Sequence, residues 1–178
     1  MEPGSTRVSG HVELFGRKGW SLTLALLPVV AYVYPYTGIF SQMLPFAAAY
    51  RARLVLVNRR DYPGSTPLTD TELASLGSPN IQTRAKALAQ QGLEIGLFLA
   101  WLVREENIPP VSIALDGKKQ GGIALIPWSL AHTPLAGLLA HADALPVDAR
   151  KVLKPSLRAY CIFGRPLLSI PSYLENSI

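Results

Sequence analysis

Leu54-Val-Leu-Val-Asn58-Arg-Arg60-Asp-Tyr62-Pro-Gly-Ser65-Thr-Pro67 opens as an unbroken apolar run and changes character within one residue. The run is Val- and Leu-rich with no polar residue at alternate positions, so Arg53 to Val57 reads as a strand buried on both faces. The charged, Pro- and Gly-bearing segment after it reads as a tight turn. A second unit of the same kind follows at Gly122-Ile-Ala-Leu-Ile-Pro127-Trp-Ser129-Leu-Ala131-His132, an apolar strand with a serine just past its end. Strands buried on both faces belong to parallel sheets covered by helices. The expected class is therefore α/β, with a mostly parallel sheet flanked by helices.

Between the two units, Thr69 to Leu76 predicts a short helix, with Thr69 as its cap and Glu72 at the capping-box position. Ser78-Pro-Asn80 opens a second helix that runs to Glu106, where Asn107-Ile-Pro-Pro110 stops it. Its expected apolar stripe is Leu88, Leu93, Leu97, Ala100 and Leu102, with Lys86, Glu94 and Arg104 towards water. Val111 to Leu115 and Gly122 to Ile126 read as strands bracketing the polar loop Asp116 to Gly121. Leu130 to Ala142 predicts a helix of small residues, Leu157 to Phe163 a strand, and Gly164 to Pro171 a loop. Upstream, Val8 to Phe15 predicts a strand and Gly16 to Gly19 a turn. Pro28 divides the apolar run Ser21 to Val33, leaving Val29 to Val33 as a central parallel strand. Ile39 to Tyr50 has helical spacing, with Pro45 expected to kink it.

With 178 residues the chain fits one domain, and 49% apolar residues supply a sizeable core. Charged residues make up 16%, against about 25% in ordinary globular domains, which fits a covered sheet and excludes disorder. The net charge of +5 raises nucleic acid and anionic lipid as partners. The basic residues, however, fall as scattered pairs: Arg17-Lys18, Arg59-Arg60, Lys118-Lys119 and Arg150-Lys151. No dense basic block or aromatic RNA-binding motif accompanies them, so a solvated surface is expected and no nucleic-acid partner. The single cysteine, Cys161, excludes an internal disulfide; lying in an apolar run, it predicts a buried thiol in a reducing, cytoplasmic setting. Trp20 to Tyr36 is apolar enough to suggest an anchor, but it is short for a membrane span and interrupted by Pro28. A buried strand is the expectation there, and membrane-anchoring through 20–36 its rival. Three histidines and one cysteine share no ligand spacing, and no phosphate loop or dinucleotide fingerprint is present, so no metal or cofactor is expected.

The two strand-to-turn units together resemble the α/β-hydrolase superfamily, specifically its AB hydrolase-1 type and fungal-like members. Asn58, Arg60, Tyr62 and Ser65 fall on the Asp, Arg, aromatic and Ser positions of the structural turn after the family's fourth strand, with Asp61 and Pro63 in place of glycines. Ser129 falls on the nucleophile of the elbow after the fifth strand, where the pattern Gly-x-Ser-x-Gly becomes Pro127-Trp-Ser129-Leu-Ala131. Pro127 lacks an N–H and is expected to press on the turn and to disturb strand pairing. Tyr34-Pro-Tyr-Thr-Gly38 is similar to the loop after the family's third strand, with Tyr32-Val33 replacing its His-Gly pair.

The resemblance implies hydrolysis of an ester or related acyl bond, with Ser129 as nucleophile and the backbone N–H groups of Leu130 and Tyr34 as the oxyanion hole. Asn58, Arg60 and Ser65 would shape the turn beneath the site, and the partner would be a small acyl substrate. In family order an acid and then a histidine follow the serine. After Ser129 the histidines are His132 and His141 and the carboxylates include Asp143, Asp148 and Glu175, none at a recognisable position. General base and acid are therefore unassigned, and His132 is expected on a helix surface. The resemblance runs from about Val29 to Pro171. The chain thus reads as one incomplete domain: 1–19 an N-terminal strand and turn, 20–163 the core, 164–178 the start of a lid or C-terminal part. Little or no turnover is expected of such a form. The rival expectation is a non-catalytic relative that binds a partner, or pairs with itself through an exposed strand edge.

Overall fold

The computed structural model describes residues 12–15, 22–27, 44–50, 52–57, 60–61, 65–127 and 131–161. It is a mixed α/β structure. In chain order the elements are β1 (Val12–Phe15), β2 (Leu22–Leu27), α1 (Leu44–Ala49), β3 (Ala52–Val57), α2 (Asp70–Leu76), α3 (Ile81–Glu105), β4 (Ser112–Ile113), β5 (Lys119–Gln120), β6 (Ile123–Pro127), α4 (His132–Ala140), a 3₁₀ turn (Ala142–Ala144), α5 (Val147–Ser156) and β7 (Leu157–Tyr160). Five strands form one sheet in the order β1-β3-β2-β6-β7, and β4 pairs with β5 in a separate hairpin. β3, β2, β6 and β7 run parallel, and β1 is antiparallel to β3.

The central strand is Leu22–Leu27, paired with β3 on one side and β6 on the other. The strand expected at Val29 to Val33 lies outside the described residues; the start of the same apolar run supplies the described central strand, and Pro28 follows it in sequence. The segment considered as an anchor thus contributes a sheet strand, and among the described residues no helix is long and apolar enough to cross a membrane. Pro45 does not kink a helix. It is the second residue of the six-residue α1, in the first turn, where its missing N–H costs no bond.

Both faces of the sheet are buried. Val55, Val57, Ile123 and Leu125 point into a core built with α3, α4 and α5, while the alternate residues Leu54 and Ala124 are buried as well. α3 has Asn80 as its cap, the side chain accepting from the Thr83 N–H. Its 25 residues span about 37 Å. Its buried residues include Gly92, Ile95, Gly96, Leu99, Leu102 and Val103. Of the expected stripe, Ala100 and Leu102 are buried, whereas Leu88, Leu93 and Leu97 lie at its half-buried margin. The glycines belong to the buried face, because α4 lies across α3 at Gly92, where an added Cβ would overlap the Leu138 N and stand 2.7 Å from the Pro134 carbonyl oxygen.

Two further differences are physical. Val111 to Leu115 shrinks to the two-residue β4, because its exposed Ile113 faces water rather than a sheet. α5 was not anticipated at all. Its buried face is Ala149, Leu153 and Ser156, a spacing carried by one large apolar residue and hidden by the surrounding charges. The helix then passes into β7 without a loop, so the strand expected from Leu157 ends its described span at Tyr160. Residues 164–178 lie outside the described set.

Candidate functional site

β3, β2 and β6 lie side by side and point the same way, so the three segments singled out from the sequence all leave the same carboxyl edge. From β2 the chain passes to β3 on one side and then returns beyond β2 to β6 on the other. That reversal makes the gap between the ends of β2 and β6 a topological switch point, the place where open α/β sheets leave a crevice for ligands. Leu27 and Pro127, the last residues of the two strands, are register partners. Ser129 and Leu130, beyond Pro127, lie outside the described residues, as do Tyr34 and Asn58.

Pro127 does not disturb the pairing, contrary to expectation. Its side chain is fully buried, and β6 keeps register with β2 through this residue. The Leu125 carbonyl accepts from the Cys161 N–H on the β7 side. By the two-residue alternation of a strand, an N–H at position 127 would also point that way. The described β6–β7 register stops at Leu125–Tyr160, so the missing donor falls beyond it.

The turn after β3 is clamped by Arg60. Its guanidinium donates two bonds to Glu72, at 2.6 and 2.8 Å, one to Glu94 at 3.0 Å and one to the Pro67 carbonyl at 3.1 Å. One side chain thereby ties the turn to α2 and α3. Glu72 also completes the capping box with Thr69, so its carboxylate serves the helix cap and the clamp together. Asp61, standing where the hydrolase pattern has glycine, has φ of +72°. Aspartate tolerates that left-handed conformation better than most residues, and its carboxylate accepts from the Leu68 N–H at 3.3 Å. Ser65 is half-buried at the end of the same turn. The partners of Arg60 were legible only in part: Glu72 was visible as a capping residue, Glu94 merely as a solvent-facing charge.

The Arg60 bond, followed by the bonds from Thr69, holds the Glu72 carboxyl at about 2, below its ordinary 4.5. The folded value is the lower one, so the stabilisation is complete above pH 4.5 and is lost as pH falls towards 2. Arg60→Gln is accordingly expected to melt below the parent protein at pH 7, with the gap in Tm closing as the pH is lowered through that window. Thermal melting across pH checks this; a gap independent of pH would show that the clamp does not act through Glu72.

His132 opens α4, and its Nδ1 lies 3.0 Å from the Tyr160 hydroxyl at the end of β7. The rings meet edge to face, centroids 6.0 Å apart. Burial raises the Tyr160 pKa, which keeps the phenol protonated. His132 is half-buried against β7 rather than on an open helix surface, a contact that sequence spacing did not signal. His141 is exposed after α4. Asp143 is exposed, and Asp148 is exposed and pairs with Arg104 at 3.0 Å. Neither faces His132 in any described contact. Cys161, expected to be buried, is exposed. It follows the strand's last core-facing residue, and the apolar run that suggested burial continues past the described end of β7. Among the described residues no group of His, Cys, Asp or Glu could hold a metal ion. A half-open groove of about 330 Å³ runs between α2 and α3, lined by Leu68, Leu76 and Ala87, and the Glu72 and Glu94 carboxylates on its wall are taken up by Arg60.

Comparison with known proteins gives no matching family model and no matching curated protein.

Proposed function

We propose that this chain is a serine-hydrolase homologue of the α/β-hydrolase type, with Ser129 offered to an acyl carbonyl at the carboxyl edge of the sheet. The observation that carries the reading is the parallel pairing of Leu27 with Pro127 at the switch point. An oxyanion hole assembled from two segments requires that they leave adjacent strand ends in the same direction. The segment carrying Tyr34 begins after Leu27, and that carrying Ser129 and Leu130 begins after Pro127. The clamped turn after β3 supports the same reading, since it fixes the neighbouring strand end. α4, which begins at His132, three residues after Ser129, places a helix amino end close in sequence to that serine.

In this mechanism the Ser129 oxygen bonds to the acyl carbon and its proton passes to a base. The carbonyl electron pair moves onto oxygen, where the N–H groups of Leu130 and Tyr34 receive it. Collapse expels the alcohol and leaves an acyl-enzyme, which water then cleaves. Turnover is expected to be low, because no acid and histidine follow Ser129 at recognisable family positions. The experiment is labelling by a fluorophosphonate, which asks less of a base than an ester with a poor leaving group. One Ser129-dependent adduct supports the reading, and none counts against it.

A further inference from the structure

Two of the basic pairs that are scattered in sequence, Lys118-Lys119 and Arg150-Lys151, lie on elements that the fold joins. The hairpin β4–β5 stands on the carboxyl end of α5: the Val111 N–H donates to the Pro155 carbonyl at 2.8 Å, and Arg158 donates to the Gly121 carbonyl at 3.3 Å. Both feet of the hairpin are thus tied to the segment where α5 becomes β7. Lys118 and Lys119 lie on the hairpin, and Lys151 and Lys154, three apart on α5, lie opposite its buried face. Lys118 is paired with Asp116 at 3.1 Å. Among the described residues no ion pair is formed by Lys119, Lys151 or Lys154. Two aliphatic side chains of the hairpin stand in water: Ile113, the register partner of Lys119, is 73% exposed and Leu115 wholly so.

We infer that this hairpin and the outer face of α5 form a docking surface for an anionic lipid membrane. Aliphatic side chains on a protruding tip, bordered by lysines, match an interface whose surface is negative and whose interior is apolar. A nucleic-acid surface fits less well, because the hairpin carries no aromatic ring on which a base could stack. The hairpin precedes β6 and so lies at the amino edge of the parallel strands, opposite the carboxyl edge where Ser129 is attached. Docking there holds the protein at a membrane with its candidate site turned away, and it does not depend on the hydrolase reading.

Co-sedimentation of the full chain with vesicles of phosphatidylcholine, with and without phosphatidylserine, tests this. Binding is expected only with phosphatidylserine, and it should weaken as salt is raised. Lys119→Ala and Lys154→Ala are each expected to weaken partition about fivefold, the worth of one lysine at such a surface. Leu115→Ser should weaken it about tenfold or more by removing the inserted side chain. All three positions are exposed, so an unchanged Tm would show that the fold is intact. No vesicle binding, equal binding to neutral vesicles, or binding indifferent to the three substitutions would overturn the inference. So would tighter binding to a single-stranded RNA oligonucleotide that depends on the same lysines.

Discussion

Gly92→Ala is expected to destabilise the protein by about 2 kcal/mol or more, although it replaces a poor helix former with the best. The gain in helix propensity is about 1 kcal/mol. Against it stands α4, whose backbone at Pro134, Gly137 and Leu138 occupies the space a methyl group would take. Backbone cannot rotate aside as a side chain can, so the two helices must separate, and overpacking of this kind costs about 1–3 kcal/mol or more. Gly96 provides the contrast. The nearest atoms to a Cβ there are the side-chain ends of Leu138 and Leu145, at 2.7 to 2.9 Å. Gly96→Ala should therefore cost less than Gly92→Ala. At about 2–4 °C per kcal/mol for a chain of this size, thermal melting resolves the two. Equal Tm values would mean that α3 and α4 do not meet backbone to backbone.

The second large effect is expected at Glu106. Arg53, in β3, points with Val55 and Val57 into the core side of the sheet and is only 5% exposed. Its guanidinium donates to the Glu106 carboxylate at 2.6 Å, and its buried Nε has no partner. Glu106→Ala leaves this cation buried beside an apolar core, which costs about 3–5 kcal/mol. Arg53→Met removes the cation itself and leaves no buried charge in its place, so it should cost less than Glu106→Ala. The double variant Arg53→Met/Glu106→Gln has no buried charge and should recover most of the loss. Denaturant unfolding of the three variants checks the order; a double variant as unstable as Glu106→Ala would exclude charge burial as the cause.

These two sites show where sequence reading stopped. Arg53 was read only as the first residue of a buried strand, and its pairing with Glu106, just past the end of α3, carried no sequence signal. Gly92 played no part in a helix pattern drawn from apolar spacing, and the crossing of α4 makes it a requirement. The same crossing explains why Leu88, Leu93 and Leu97 sit at the margin while Ala100 and Leu102 of the expected stripe are buried. By contrast, the caps at Thr69 and Asn80 and the strand at Ala52–Val57 were legible because their signals are local. α5 and the His132–Tyr160 contact carried no such signal: one has a single large buried residue, the other joins positions 28 apart in sequence. Of the candidate site, the attachment of three segments to one sheet edge follows from strand order, a property of pairing that no single segment encodes.

Fluorophosphonate labelling of the full chain, followed by intact mass measurement and peptide mapping, tests the central claim most directly. One phosphonyl group per chain is expected, located on Ser129 and absent from Ser129→Ala at unchanged Tm. An unlabelled protein, or an adduct that maps elsewhere and survives Ser129→Ala, would contradict the assignment of the carboxyl edge between β2 and β6 as an acyl-transfer site.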